Sequence, residues 1–226
     1  MRTEKIKKHF EEEANEFDII IQKLIPNYNQ MIDALVSVIP FSDEKTFSMI
    51  DLGCGTGTIS QSVKSRFSNV KITCVDIAEK MLEIAKDKLD GNIICIQADF
   101  NKFDFPEKYD LILSSLALHH LENDSDKFAF YEKIYSALNQ NGIFINIDVV
   151  LGSDDALQDV YMKKWKEFMS KNVSDEEINS KWIPTYYAED RPTQLTAHLD
   201  MLKNSGFSSI DVIYKYFNYA VYIGKK

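Results

Sequence analysis

The chain has 226 residues, 45% hydrophobic and 12% aromatic, with a formal charge of −9. This fits one domain with a large core and excludes a disordered chain. The acidic balance argues against a protein that grips a phosphate backbone by itself, so direct nucleic-acid binding is not expected.

The N-terminus, MRTEKIKKHFEEEANEF, is charged throughout and lacks the apolar core of a signal peptide. No apolar run approaches the roughly 20 residues of a membrane span, so a soluble, cytoplasmic protein without a membrane partner is expected. Cys54, Cys74 and Cys95 are odd in number and form no C-x-x-C pair, which points to reduced thiols rather than disulfides. Ile6, Phe10, Phe17, Ile20, Ile21 and Leu24 recur at helical spacing, and Pro26 closes that helix. Tyr28, Met31, Ile32, Leu35 and Ile39 predict a second helix, ending at Pro40.

The grammar then changes. FSMIDLG, VKITCVDI, NIICIQAD, YDLILSSL and GIFINIDVV are short runs rich in isoleucine and valine, the pattern of strands buried on both faces. Helical segments alternate with them: EKMLEIAKDKLD, and FYEKIYSALNQNG with Asn141-Gly142 as its stop. This rhythm predicts a doubly wound α/β fold on a mostly parallel, seven-stranded sheet. DALQDVYMKKWKEFMSKN and SDEEINSKW read as an inserted helical cap, the second with a Ser174…Glu177 capping box. Trp165, Trp182, Tyr186 and Tyr187 could wall an apolar pocket, although Trp165 has the spacing of a packing residue. A helix through Leu195, Leu199 and Leu202 stops at Gly206, and two final strands join near Phe217-Asn218. One domain of four parts is expected: N-terminal lid helices (1–45), a core (46–150), the cap (151–192), and a final helix and hairpin (193–226).

The first strand runs into Asp51-Leu52-Gly53-Cys54-Gly55-Thr56-Gly57. In a doubly wound sheet this first crossover cradles a ligand, and glycines let it approach the main chain closely. A dinucleotide loop needs G-x-G-x-x-G, but Thr58 stands where the last glycine would be. Asp51 would also repel a diphosphate and would welcome a positive group. S-adenosyl-L-methionine carries an ammonium and a sulfonium and no phosphate. Asp76, at the end of the second strand, can accept from both hydroxyls of a ribose, or can cap the next helix through its spacing to Glu79. Ile77 and Met81 follow where an adenine needs apolar contact. Asp99 and Phe100 end the third strand, and Ser115 and Leu116 the fourth.

These elements resemble the class I S-adenosylmethionine-dependent methyltransferases over roughly Thr46 to Val150. The resemblance implies that Gly53, Cys54, Gly55 and Gly57 hold the methionine part, that Asp76 binds ribose, that Asp99 contacts adenine, and that Ser115 and Leu116 face the substrate. LIPNYNQM, EKIYSALNQNGIFI and the tail HLDMLKNSGFSSIDVIYKYFNYAVYIGKK are similar to one branch, the carboxy-S-adenosylmethionine synthases of tRNA wobble-uridine modification. That branch implies a cofactor contact for Tyr28 and an arginine for the extra carboxylate. Trp182 aligns with the arginine, and a neutral indole cannot clamp a carboxylate.

The expected function is therefore in-line methyl transfer to a small-molecule acceptor. The alternatives are a carboxy-S-adenosylmethionine synthase-like enzyme, a non-catalytic cofactor-binding subunit, and a nicotinamide dehydrogenase, the last disfavoured by Asp51 and Thr58. His119 and His120 follow the fourth strand, and His119 is the candidate general base. No metal is expected there, because no third ligand sits at a convincing spacing. Exposed aromatics of the cap could serve a homodimer.

Overall fold

The structure, a computed structural model, describes residues 2–226. Three helices, α1 (Arg2–Glu13), α2 (Phe17–Leu24) and α3 (Tyr28–Ser37), precede β1 (Phe47–Leu52). The alternation then runs α4 (Thr58–Arg66), β2 (Val70–Asp76), α5 (Glu79–Lys88), β3 (Ile94–Gln97), β4 (Tyr109–Ser115), α6 (Asp124–Ala137) and β5 (Leu138–Leu151). The cap holds α7 (Asp155–Met169), the short α8 (Asp175–Glu177), a π-helical turn over Ile178–Trp182 and α9 (Ile183–Glu189). A two-residue β6 (Thr193–Gln194), α10 (Leu195–Asn204), β7 (Ser209–Tyr216) and β8 (Tyr219–Lys225) finish the chain.

The seven long strands lie in the order β3-β2-β1-β4-β5-β8-β7, and β6 adds only a short parallel pairing to the end of β5. β1 to β5 are parallel to one another, and β8 is antiparallel to β5 and β7. The order reverses between β1 and β4, so the carboxyl ends of these two strands open a crevice. Period-two alternation fills both faces: Met49, Leu111 and Ile145 pack on one side of the sheet, Ile50, Ile112 and Phe144 on the other. No helix of the described residues is long and apolar enough to cross a membrane.

Two local expectations are corrected. The first helix breaks after Glu13, at a turn over Ala14–Glu16, although Glu11, Glu12 and Glu13 have the wrong sign for the dipole at its C-terminus. Those acids are used elsewhere. Glu11 accepts from the main-chain N–H groups of Glu79 and Lys80 at the start of α5, and Glu13 pairs with Lys181 of the cap at 2.6 Å. Asn141-Gly142 does not stop α6 either. The helix ends at Ala137, Leu138 already pairs with Tyr109, and the left-handed Asn141 lies inside β5 where the register slips before Ile143. The Ser174 cap is present, its hydroxyl accepting from the Glu177 N–H at 3.1 Å. Pro184, which lacks an N–H, explains the widened turn before α9.

Candidate functional site

The glycine turn is built by close approach. Gly53, Gly55 and Gly57 have φ of 71°, 52° and 79°, a region that favours glycine. The N–H groups of Gly53 and Cys54 both reach the carbonyl of Val75, at 2.8 and 3.0 Å. A Cβ on Gly53 would lie 2.3 Å from that of Ala117, whereas one on Gly55 would meet nothing nearer than the Phe17 ring at 3.6 Å. The outer two glycines therefore serve packing, and the middle one leaves room for a ligand.

Two buried carboxylates stand below this turn. Asp51 accepts from the Ser60 hydroxyl at 2.6 Å through one oxygen, while its other oxygen has no partner. Burial, with the charge of Asp76 adding to it, pushes its pKa up to about 6. Asp76 accepts from the N–H groups of Gly55 and Ala78, each at 2.9 Å, and burial holds it at about 6 as well. It thus caps the chain before α5 through Ala78 rather than Glu79, whose N–H goes to Glu11. Two acids with raised pKa values in a crevice are a site poised for a cation or a diol.

A cleft of about 970 Å³, its open mouth included, joins the remaining candidates. Tyr28, Gly53, Cys54, Gly55, Ile77, Met81, Asp99, Phe100, Ser115 and Leu116 line it together with Asp51 and Asp76, while Gly57 lies just outside. Leu116 has φ of 51°, uncommon for a bulky residue, and its N–H is fixed on the carbonyl of Ile147 at 2.8 Å. Burial and the charges of Asp18 and Asp51 push the Tyr28 phenol up, so it stays a donor. The Cys54 thiol is pushed well above its usual value by hydrogen bonding to Cys74 and by burial, which makes it no nucleophile.

Lid helices are expected over 1–45, but the sequence does not say which of their residues face the cleft. Ile6 and Phe10 from α1, and Phe17 and Ile21 from α2, close over it. Phe10 and Phe17 meet edge to face, 6.1 Å apart. Arg2 anchors the start of α1 on the carbonyls of Glu189 and His120 and on the carboxylate of Glu122, at 2.6 to 2.7 Å. Asp18 anchors α2, pairing with Lys88 at 2.6 Å and accepting from the hydroxyls of Thr56 and Thr58. The apolar stripe of these helices carried a signal, but it could equally have faced the core.

Two sets of candidates are corrected. His119 does not line the cleft. Its ring is buried, with Nδ1 held by Asp148 at 2.5 Å and Nε2 turned towards Asp190, and His120 forms the wall instead. The cap aromatics do not line the cleft either. The Trp165 indole donates to the Leu24 carbonyl at 2.8 Å, the Trp182 indole to Glu177 at 2.9 Å, and Tyr187 is exposed. The donors and acceptors present fit S-adenosyl-L-methionine. The unpartnered Asp51 oxygen can take an ammonium, the space above Gly55 an aliphatic chain, and the Asp76 rim a sugar diol.

A family model described as a methyltransferase domain matches residues 49–142. The chain is 28% identical to the carboxy-S-adenosyl-L-methionine synthase of Campylobacter hominis, with 98% of this chain and 96% of that protein covered. It is 33% identical to a malonyl-[acyl-carrier protein] O-methyltransferase of Ilyobacter polytropus, over 53% of this chain and 46% of that one. Among solved structures, human N-acetylserotonin methyltransferase in complex with SAM aligns with a TM-score of 0.58 at 22% identity, over 86% of this chain and 51% of that one. A putative O-methyltransferase from Nostoc punctiforme aligns with a TM-score of 0.66 at 17% identity, over 96% of this chain and 60% of that one. The chain thus spans about half to three-fifths of the length of those solved chains. Sheet order, glycine turn and paired acids agree with these matches: residues 49–142 match a methyltransferase domain, and the chain is an S-adenosyl-L-methionine-dependent enzyme similar along its length to the carboxy-S-adenosyl-L-methionine synthases.

Proposed function

We propose that the enzyme transfers a methyl group, in line, to a small-molecule acceptor that enters beneath α1 and α2. The cofactor brings a methyl group already activated on a sulfonium, so no residue must act as nucleophile. The charge of the cleft carries this reading: Asp51, Asp76 and Asp99 line it, and no lysine or arginine does among the described residues. That lining suits an ammonium, a sulfonium, a diol and an aromatic amine, and it repels a diphosphate or a second carboxylate. In this reading Asp51 takes the ammonium and Asp76 the ribose hydroxyls, each such bond contributing about 1.5–3 kcal/mol. Gly53, Cys54 and Gly55 follow the methionine part, while Gly57 closes the turn against Ala85. Asp99 accepts from the adenine amine, Phe100, Ile77 and Met81 flank its ring, and Tyr28, Ser115 and Leu116 border the acceptor side. Ile6, Phe10 and Phe17 exclude water while the acceptor is held in line, an ordering that can supply about 7–11 kcal/mol of the barrier.

Formation of S-adenosylhomocysteine against a panel of uncharged and cationic acceptors tests the proposal, and tight cofactor binding with no turnover on any acceptor sinks it. The end-to-end similarity to carboxy-S-adenosyl-L-methionine synthases favours a second reading, modification of the cofactor itself. Against it, Trp182 stands where the branch's arginine aligns, and its buried indole is engaged by Glu177. Mass spectrometry of the ligand that copurifies separates the two, because the second reading requires a carboxylated cofactor.

A further inference from the structure

Beside the cleft, the tertiary structure brings a third ligand to the two histidines. His119 Nε2 lies 3.5 Å, and His120 Nδ1 3.6 Å, from the same oxygen of Asp190, and the three donor atoms all fall within 4.8 Å of one another. Both separations exceed a normal hydrogen bond, whose N···O distance is about 2.7–3.2 Å. They match two ligands of one ion: legs of about 2.1 Å at a tetrahedral angle set ligand atoms about 3.4 Å apart.

A supporting shell is present. Asp148, fully buried, accepts from His119 Nδ1, which leaves Nε2 aimed at Asp190. Its carboxylate is itself fixed by the Asn146 amide at 3.2 Å and the Val149 N–H at 3.0 Å. Asn146 in turn donates to the Tyr222 hydroxyl at 2.7 Å. A carboxylate that orients a histidine whose other nitrogen ligates is the arrangement that tunes metal sites. Two carboxylates, Asp148 and Asp190, supply the charge that balances a divalent ion. The nearby cations are occupied: Arg2 by two carbonyls and Glu122, and the buried Lys127 by the Leu121 carbonyl and Asp124. His120 also borders the cleft, which gives an ion its route in.

We propose that His119, His120 and Asp190, braced by Asp148, bind one divalent transition-metal ion of the zinc class, tying the turn after β4 to the end of α9. Two imidazoles and one carboxylate suit such an ion and suit magnesium or calcium poorly. Water completes its shell. The ion pins the wall of the cleft and does not take part in the methyl transfer.

The full chain, stripped with chelator, is titrated with Zn²⁺ by calorimetry and with Co²⁺ by visible absorption. The expected result is one equivalent bound, the visible bands of low-coordinate cobalt, and a higher Tm with Zn²⁺. Asp190→Asn and His119→Gln weaken Zn²⁺ at least tenfold, and Asp148→Asn by about 10–100-fold. Asp190 is partly exposed, so its variant keeps the fold, checked by circular dichroism and S-adenosylhomocysteine binding. The proposal is overturned if the wild-type protein binds no Zn²⁺ stoichiometrically, or if folded Asp190→Asn binds it equally well. S-adenosylhomocysteine binding by the stripped wild-type protein is measured in parallel. Its failure counts against the methyl-transfer reading and leaves the metal result standing by itself.

Discussion

The carboxylate of Asp18 on α2 meets the ammonium of Lys88 on α5 at 2.6 Å and also accepts from Thr56 of the glycine turn and Thr58, which opens α4. Burial alone would raise the Asp18 pKa, but Lys88 and the hydroxyls of Thr56 and Thr58 outweigh it and hold the carboxyl below its usual range. Roof and glycine turn are thereby one electrostatic unit. Asp18→Ala should speed S-adenosylhomocysteine release and weaken its binding about three- to tenfold, with little loss of fold. Stopped-flow dissociation checks this, and an unaltered off-rate would show that the roof is held by its aromatics alone.

Asp51 trades stability for binding. Its pKa is raised from 3.8 to about 6, so the folded state favours the proton and the ionised form costs stability above about pH 6. A shift of this size corresponds to about 2–3 kcal/mol. Asp51→Asn should therefore raise the Tm of the ligand-free protein at pH 7 while weakening cofactor binding at least tenfold. The Tm gain should shrink as pH falls from about 6 towards 3.8, because the wild-type acid is then neutral too. Melting curves of both proteins across that window test it, and a gain independent of pH would rule out the electrostatic origin.

Asp76 has two tasks. Its oxygens hold the N–H groups of Gly55 and Ala78 and still face the cleft. Asp76→Ala should weaken cofactor binding at least tenfold by calorimetry, whereas Asp76→Glu, which keeps the charge but not the reach, should retain part of it. Full affinity in Asp76→Ala would refute ribose binding by this acid.

The glycines should separate in behaviour. Gly53→Ala drives a Cβ to 2.3 Å from Ala117 at a left-handed φ, a change expected to cost roughly 2–4 kcal/mol of stability. Gly55→Ala meets only the Phe17 ring at 3.6 Å, so the fold should survive with a smaller loss while the cofactor is excluded. Urea unfolding and cofactor titration of the pair would distinguish the roles, and equal destabilisation would contradict them.

The strands, the glycine turn and the acids at the ends of β1, β2 and β3 were legible because each is a local pattern. A buried parallel strand must be apolar, and a tight crossover must be bare. Asn146 and Asp148, two residues apart on one face of β5, carried a weaker signal, hidden in a run that is otherwise apolar. Pro184 marked where a helix would be disturbed but not that it would widen into a π-turn.

What the sequence by itself determined is the sheet and the kind of ligand its crevice accepts, since period, glycine and charge act over a few residues. Only the tertiary structure decided which residues of α1 and α2 face the cleft, that the cap aromatics turn away from it, and that Asp190 reaches two histidines some seventy positions earlier. Those outcomes rest on which of several apolar faces and unpaired charges find each other, and that choice is made by packing between elements that no local spacing encodes.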